Sequence, residues 1–149
     1  MLLRRDRAML AIDIALDVAF HAGRGADLTG AAEIAERLGA QRRGIEPVLQ
    51  ALSRADILES IRGPRGGYRL ARAPRAITLA EVVAAVAAED EDPPLPAGRL
   101  AAAVTAPLWG ELAASVQERL AALTVSDLLR RAAAAGLVRP RTEPLDFAI

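Results

Sequence analysis

The chain has 149 residues, enough for one domain, or for a small domain with an extension. It contains no cysteine, which excludes disulfides, thiolate metal sites and cysteine nucleophiles, and its 52% hydrophobic content includes only 3% aromatics, so alanine and leucine must do most of the packing, which favours helices. The formal net charge of +0 hides a division: residues 1–75 carry 13 arginines against 9 acids and residues 76–149 carry 6 against 10, so only the amino half is suited to meet a polyanion.

The first predicted element is a helix over residues 7–22. Leu10, Ile12 or Ile14, Leu16 and Phe20 fall on or beside one stripe, and Asp13 and Asp17 share the opposite face. Those aspartates exclude a signal or membrane helix between Ala8 and Phe20, so no membrane is expected as a partner and the expected location is the cytoplasm. His21, the single histidine, stands at the helix end, facing the negative end of the dipole.

After a turn over residues 23–30, Ala31 to Leu38 reads as a short amphipathic helix closed by Gly39. Two N-caps compete: Thr29 has the better side chain, whereas Gly30 stands at the capping-box distance from Glu33. Residues 41–55 follow, with Ile45, Val48, Leu49 and Leu52 at helical spacing. Pro47 requires this third helix either to begin near Glu46 or to have a loosened first turn. Two short helices joined through Gly39 and Ala40 form a helix-turn-helix, in which the second helix enters the major groove with its first residues at the base edges. Those residues are Gln41, Arg42 and Arg43; arginine pairs with guanine N7 and O6, and glutamine with adenine.

Ile57, Leu58 and Ile61 then lead into Arg62-Gly63-Pro64-Arg65-Gly66-Gly67, and Tyr68 and Leu70 lead out with period-two alternation. This is a tight hairpin. Glycine serves where φ turns positive, Pro64 pre-sets φ for the turn, and Arg65 stands at the tip with Arg62, Arg69, Arg72 and Arg75 nearby. A guanidinium on a narrow ribbon has the shape and charge to enter a minor groove or hold a phosphate, with Gly66 beside it. A helix-turn-helix followed directly by such a hairpin is a winged helix.

Pro74 ends the second strand, and Thr78 with Glu81 opens a helix through Ala87. Residues 89–96 are acidic and proline-rich and read as a linker or loop; four adjacent acids match no calcium loop. Leu100, Val104, Leu108, Leu112, Val116 and Leu120 follow at four-residue spacing with Trp109 alongside, on a long helix interrupted or begun at Pro107. That stripe is more than a winged helix needs to close its own core, which points to a second copy of the chain, the alternative being a helix folded back over its own chain. Thr124 with Asp127 opens a last helix, stopped by Gly136, and the tail beyond it is expected to be poorly ordered.

The runs Glu33-Ile34-Ala35-Glu36-Arg37-Leu38-Gly39, Glu46-Pro47-Val48-Leu49-Gln50-Ala51-Leu52 and Arg62-Gly63-Pro64-Arg65-Gly66-Gly67-Tyr68-Arg69-Leu70, in this order, resemble the Rrf2 family of bacterial transcription regulators. The likeness is strong over residues 5–86 and weaker beyond. It implies a homodimer whose winged helices bind an imperfect palindrome in double-stranded DNA, recognition helix in the major groove and wing in the minor. Many such regulators sense iron, nitric oxide or redox state through an iron–sulfur cluster, whose cysteines lie between the helix after the wing and the Leu-Trp pair of the long helix. Here the stretch from Leu95 to Trp109 offers Ala97, Ala103 and Val104 and no sulfur, so the resemblance stops short of cluster sensing and no cofactor is expected. The effector stays open: a small molecule at the dimer interface, a protein partner, or none.

The expected fold is therefore mainly α with a small β-hairpin: a winged helix-turn-helix domain over 1–88, a linker over 89–98, dimerisation helices over 99–137 and a tail over 138–149. The expected function is a dimeric, sequence-specific DNA-binding transcription regulator, a repressor, with Arg4, Arg5 and Arg62 on the phosphate backbone. The alternative is a winged-helix protein-interaction module that no longer binds DNA. An enzyme is not expected: no Ser-His-Asp set is present, and the Gly63–Gly67 run precedes a strand, where it is a poor phosphate cradle.

Overall fold

A computed structural model describes residues 5–22, 27–87, 94 and 98–140, and for Arg5 the backbone alone. Arg4, the linker apart from Pro94 and Gly98, and the tail beyond residue 140 lie outside the described residues. The described elements are α1 (Arg5–His21), α2 (Ala31–Leu38), α3 (Arg42–Arg54), β1 (Leu58–Ile61), β2 (Gly67–Leu70), a 3-10 turn (Pro74–Ala76), α4 (Leu79–Ala87), a π-helical segment (Ala101–Thr105), α5 (Ala106–Ala122) and α6 (Val125–Ala134). Among the described residues no helix is long and apolar enough to cross a membrane.

Helix α1 begins two residues earlier than its periodicity suggests, and it is rotated from the expected orientation. Its buried face is Ala8, Ala11, Ile14, Ala15, Val18 and Ala19, while Leu16 and Phe20 are only half-buried. The cause is the small side chains: a face of alanines lets α3, α4 and α6 pack close to the α1 backbone, and the longer Leu10 and Ile12 pack at its margin. Asp17, expected beside Asp13 on the solvent side, is instead buried, with 8% of its surface exposed.

The core into which this face packs is aliphatic, as a chain poor in aromatics requires. Ile34 from α2, Ile45, Leu49 and Leu52 from α3, Ile57 and Leu58 at the start of the hairpin, and Ile77 and Val82 around α4 are all closed off from solvent. Each such side chain contributes about 1.5–3 kcal/mol relative to exposure.

Helix α2 ends as read. Gly39 takes φ 64°, its N–H bonds to Glu36 O at 3.1 Å, and Ala40 N–H reaches Ala35 O at 2.9 Å, a Schellman closure. Its N-cap is Gly30, because Thr29 is engaged elsewhere. Three residues, Gly39 to Gln41, then turn the chain into α3, which packs on α2. Pro47 lies inside α3, and the helix nevertheless runs from Arg42. Its entry is tightened, with Gly44 N–H bonded to Gln41 O at 2.9 Å, and the proline leaves the carbonyl of exposed Arg43 without its i+4 donor.

The two strands pair antiparallel with Leu58 opposite Leu70, Glu59 opposite Arg69, Ser60 opposite Tyr68 and Ile61 opposite Gly67. Both predicted capping boxes form. Thr78 N–H donates to Glu81 Oε2 at 2.9 Å and Glu81 N–H to Thr78 Oγ1 at 3.2 Å; Thr124 and Asp127 do the same at 2.8 and 3.2 Å. The two caps are themselves bridged, with Leu79 N–H on Leu123 O at 2.8 Å and Val125 N–H on Ile77 O at 3.0 Å. This bridge returns α6 onto α1 and the 3-10 turn, where Val125 joins the main core.

The long helix is continuous through Pro107 because the turn before it widens to π geometry. Ala106 N–H bonds to Ala101 O rather than Ala102 O. Proline has no N–H and its ring presses on the carbonyl four residues back, and a widened turn relieves that contact.

Candidate nucleic-acid interface

The wing tip is a four-residue turn, Gly63-Pro64-Arg65-Gly66, closed by Gly66 N–H on Gly63 O at 2.9 Å. Pro64 occupies the second position, where its fixed φ is an advantage, and Gly63 takes φ 130°. At Gly66 a Cβ would lie 2.3 Å from Ile61 O, so this position admits only glycine while the turn is kept. Arg65 therefore stands exposed at the third position of a tight turn, with exposed Arg62 at its base.

At the start of α3, Gln41, Arg42 and Arg43 are exposed. Gln41 is the N-cap but makes no side-chain cap bond, so its amide is not used locally. Arg42 leans on Glu46, 3.4 Å away, whereas Arg43 has no partner among the described residues. Arg62 and Arg65 likewise have none.

Two other arginines around the hairpin, Arg69 and Arg72, are structural, whereas Arg75 is exposed with no partner among the described residues. Arg69 Nε meets Glu59 Oε2 at 2.7 Å across the strand pair, a bond that lowers the Glu59 carboxyl pKa and raises that of Arg69. Arg72 spans three groups: Asp56 O at 3.2 Å, Ala76 O at 3.0 Å and Glu81 Oε1 at 3.0 Å. It thereby ties the turn before β1, where Asp56 has φ 59°, to the 3-10 turn and the cap of α4. The Thr78 backbone bond, assisted by Arg72, holds the Glu81 carboxyl below its usual range.

A second arginine fixes the other side of the wing. Thr29 exchanges backbone bonds with Tyr68, Thr29 N–H to Tyr68 O at 3.0 Å and Tyr68 N–H to Thr29 O at 2.8 Å, adding a short third edge to the hairpin. Gly67 makes this approach possible, since a Cβ there would lie 2.8 Å from Thr29 O. Arg37 of α2 donates to Thr29 Oγ1 at 2.6 Å and grips both carboxylate oxygens of Asp17, at 2.7 Å from Nη2 and 3.0 Å from Nε. The bond to Asp17 raises the Arg37 pKa. His21 Nδ1 lies 2.9 Å from Asp17 O and 3.3 Å from its carboxylate. Sequence reading did not find this set, because Asp17 and Arg37 lie twenty residues apart on different helices with no local pattern joining them.

The stripe on the long helix is uncovered. Exposure falls from 80% at Leu100 through 57% at Val104, 50% at Leu108 and 49% at Trp109 to 45% at Leu112. Val116 is half-buried, and Leu120, 8% exposed, is buried within its own chain.

The chain is similar to known proteins over most of its length. Residues 5–131 match a family model described as Rrf2, iron-dependent transcriptional regulator. The chain is 32% identical over 129 residues to the HTH-type transcriptional regulator IscR of Sodalis glossinidius, covering 83% of this chain and 76% of that one. Among solved structures, IscR of T. potens superposes with a TM-score of 0.73 at 26% identity, covering 93% of this chain and 94% of that one. CymR of B. subtilis, the global cysteine regulator of that organism, gives 0.70 at 25% identity, covering 88% and 98%.

Proposed function

The chain belongs to the Rrf2 family, whose members are DNA-binding transcriptional regulators rather than enzymes, and on that footing we propose that it is a cluster-free homodimeric repressor that binds an imperfect palindrome. The observation that carries the DNA-reading part is the set of exposed guanidiniums at Arg43, Arg62 and Arg65 that no described carboxylate neutralises. Arg43, with Gln41 and Arg42, reads base edges in the major groove; Arg65 enters the minor groove beside Gly66; Arg62 holds phosphate, joined by Arg4 and Arg5. Arg42 must release Glu46 to do so.

The dimer rests on the apolar stripe. A row of five large side chains, Leu100, Val104, Leu108, Trp109 and Leu112, is at least 45% exposed along one helix, and a two-fold partner is the commonest way to cover it. Leu120 anchors the helix to its own protomer and Val116 lies at the margin. In this division residues 1–88 read DNA and residues 99–137 pair the protomers, with α6 fastening one unit to the other.

The donor chemistry supports the cluster-free part. The sequence has no thiolate to offer, its one histidine is engaged with Asp17, and the described residues contain no group of three or more His, Asp or Glu placed to hold a metal ion. The residues present do not fit an iron–sulfur cluster. Repression follows from occupancy: a dimer spanning two half-sites about one or more helical turns apart blocks a promoter without touching polymerase.

The test is transcription in vitro from a promoter that overlaps a duplex enriched from a random pool by the purified protein. Wild type lowers transcript yield in proportion to site occupancy, and Arg43→Ala with Arg65→Ala does not. Increased transcript at saturating occupancy contradicts repression, and failure to bind any duplex contradicts the reading as a whole.

A further inference from the structure

We propose that Arg37 is a positioning residue for DNA binding, which with Asp17 holds Thr29 and thereby sets the angle at which the wing stands beside the recognition helix. The inference rests on the wing's contact with DNA and goes beyond it to what holds the wing in place.

The base of the wing is held by Ile57 and Leu58 in the core, with Tyr68 and Leu70 packed against it, β1 against α3 and β2 against α1. On the side of β2, its edge is tied to the chain before α2 by the two backbone bonds between Thr29 and Tyr68. Thr29 precedes α2 and lies outside any helix, so its own position needs an anchor. That anchor is the Arg37 guanidinium at 2.6 Å from its hydroxyl, and Thr29 is 6% exposed. Arg37 is oriented in turn by the two-oxygen grip of Asp17, a planar fork that a lysine ammonium does not reproduce. Among the described residues Asp17 is the buried charged group, and Arg37 keeps 27% of its side chain exposed, so the pair sits at the rim of the core where solvent screens it only in part. The two backbone bonds to Tyr68, at an approach close enough to exclude a Cβ at Gly67, couple the position of Thr29 to that of β2. A displacement of α1 or of the last turn of α2 therefore reaches the wing through Asp17, Arg37 and Thr29.

The experiment compares wild type, Thr29→Val and Arg37→Lys on a selected duplex. Hydroxyl-radical cleavage reads the minor groove and methylation of guanine N7 reads the major groove. Thr29→Val removes the hydroxyl and keeps the Asp17–Arg37 pair; Arg37→Lys keeps the charge and loses the fork. Both variants are expected to melt within a few degrees of wild type, lose minor-groove protection, keep N7 protection and bind about tenfold more weakly. Neither should weaken binding further when combined with Arg65→Ala, since the wing contact is already lost. A merely structural role would weaken both grooves alike and add to Arg65→Ala, and that result overturns the proposal. Minor-groove protection retained by both variants overturns the positioning role alone. A wild-type complex without such protection overturns the wing contact, and the positioning role with it.

Discussion

A guanidinium matched to a carboxylate in its own chain has part of its field cancelled before any DNA arrives, whereas an unmatched one keeps it all. On that criterion we propose Arg43, Arg62 and Arg65, each unmatched among the described residues, as contact residues; Arg42 is shared with Glu46, and Arg69 and Arg72 belong to the framework. Arg43→Ala should cost about 1–3 kcal/mol at one base pair of the site and relax preference there, measured by anisotropy on site variants. Arg62→Ala should weaken all duplexes alike and reduce the slope of log affinity against log salt by about 0.9. Asp13 gives a prediction with a pH sign. Partial burial raises its pKa from the usual 3.8, so the folded state binds this proton more tightly than the unfolded state does. The charged form therefore costs stability above the folded pKa, and the cost vanishes as pH falls below the unfolded value. Asp13→Asn should raise Tm at pH 7 and leave it unchanged below about pH 4; an equal rise at both pH values contradicts the burial account.

At the scale of elements, the fold is built from ends as much as from faces. Both capping boxes lie on one bridge, so Thr124→Ala should remove a cap and loosen the attachment of α6, costing about 0.5–2 kcal/mol in urea denaturation. These features could be read in the sequence because each is local: Thr-x-x-Glu and Thr-x-x-Asp, the helix-closing Gly39, and the Gly-Pro-Arg-Gly turn state their geometry within four residues. The orientation of α1 could not. In a chain rich in alanine, the larger Leu16 and Phe20 dominate any apolar stripe, yet close packing selected Ala11, Ala15 and Ala19. Asp17 was misplaced for the same reason, and its partner Arg37 is declared only by the tertiary fold. The widened turn before Pro107 was legible as a disturbance but not in kind, since a proline can equally start a helix.

The molecule as a whole offers exposed, unmatched guanidiniums on the winged helix and an uncovered apolar row on the long helix, and the proposed function joins them through a two-fold axis. Trp109 is the single tryptophan and is 49% exposed in the protomer, so pairing should bury it: emission should shift to the red on dilution below the dimer dissociation constant. Leu108→Glu with Leu112→Glu should give a monomer by sedimentation equilibrium, with melting little changed, because neither side chain belongs to the protomer core. Such a monomer should lose most of its affinity for a full site, since each half-site is then bound alone. The central claim is that two copies of this chain read one symmetric duplex, and selection of binding sites from random double-stranded DNA by the purified protein tests it most directly. The account predicts enrichment of an inverted repeat whose half-sites are separated by about one helical turn or a multiple of it. Enrichment of a single asymmetric site, or of none, would contradict it.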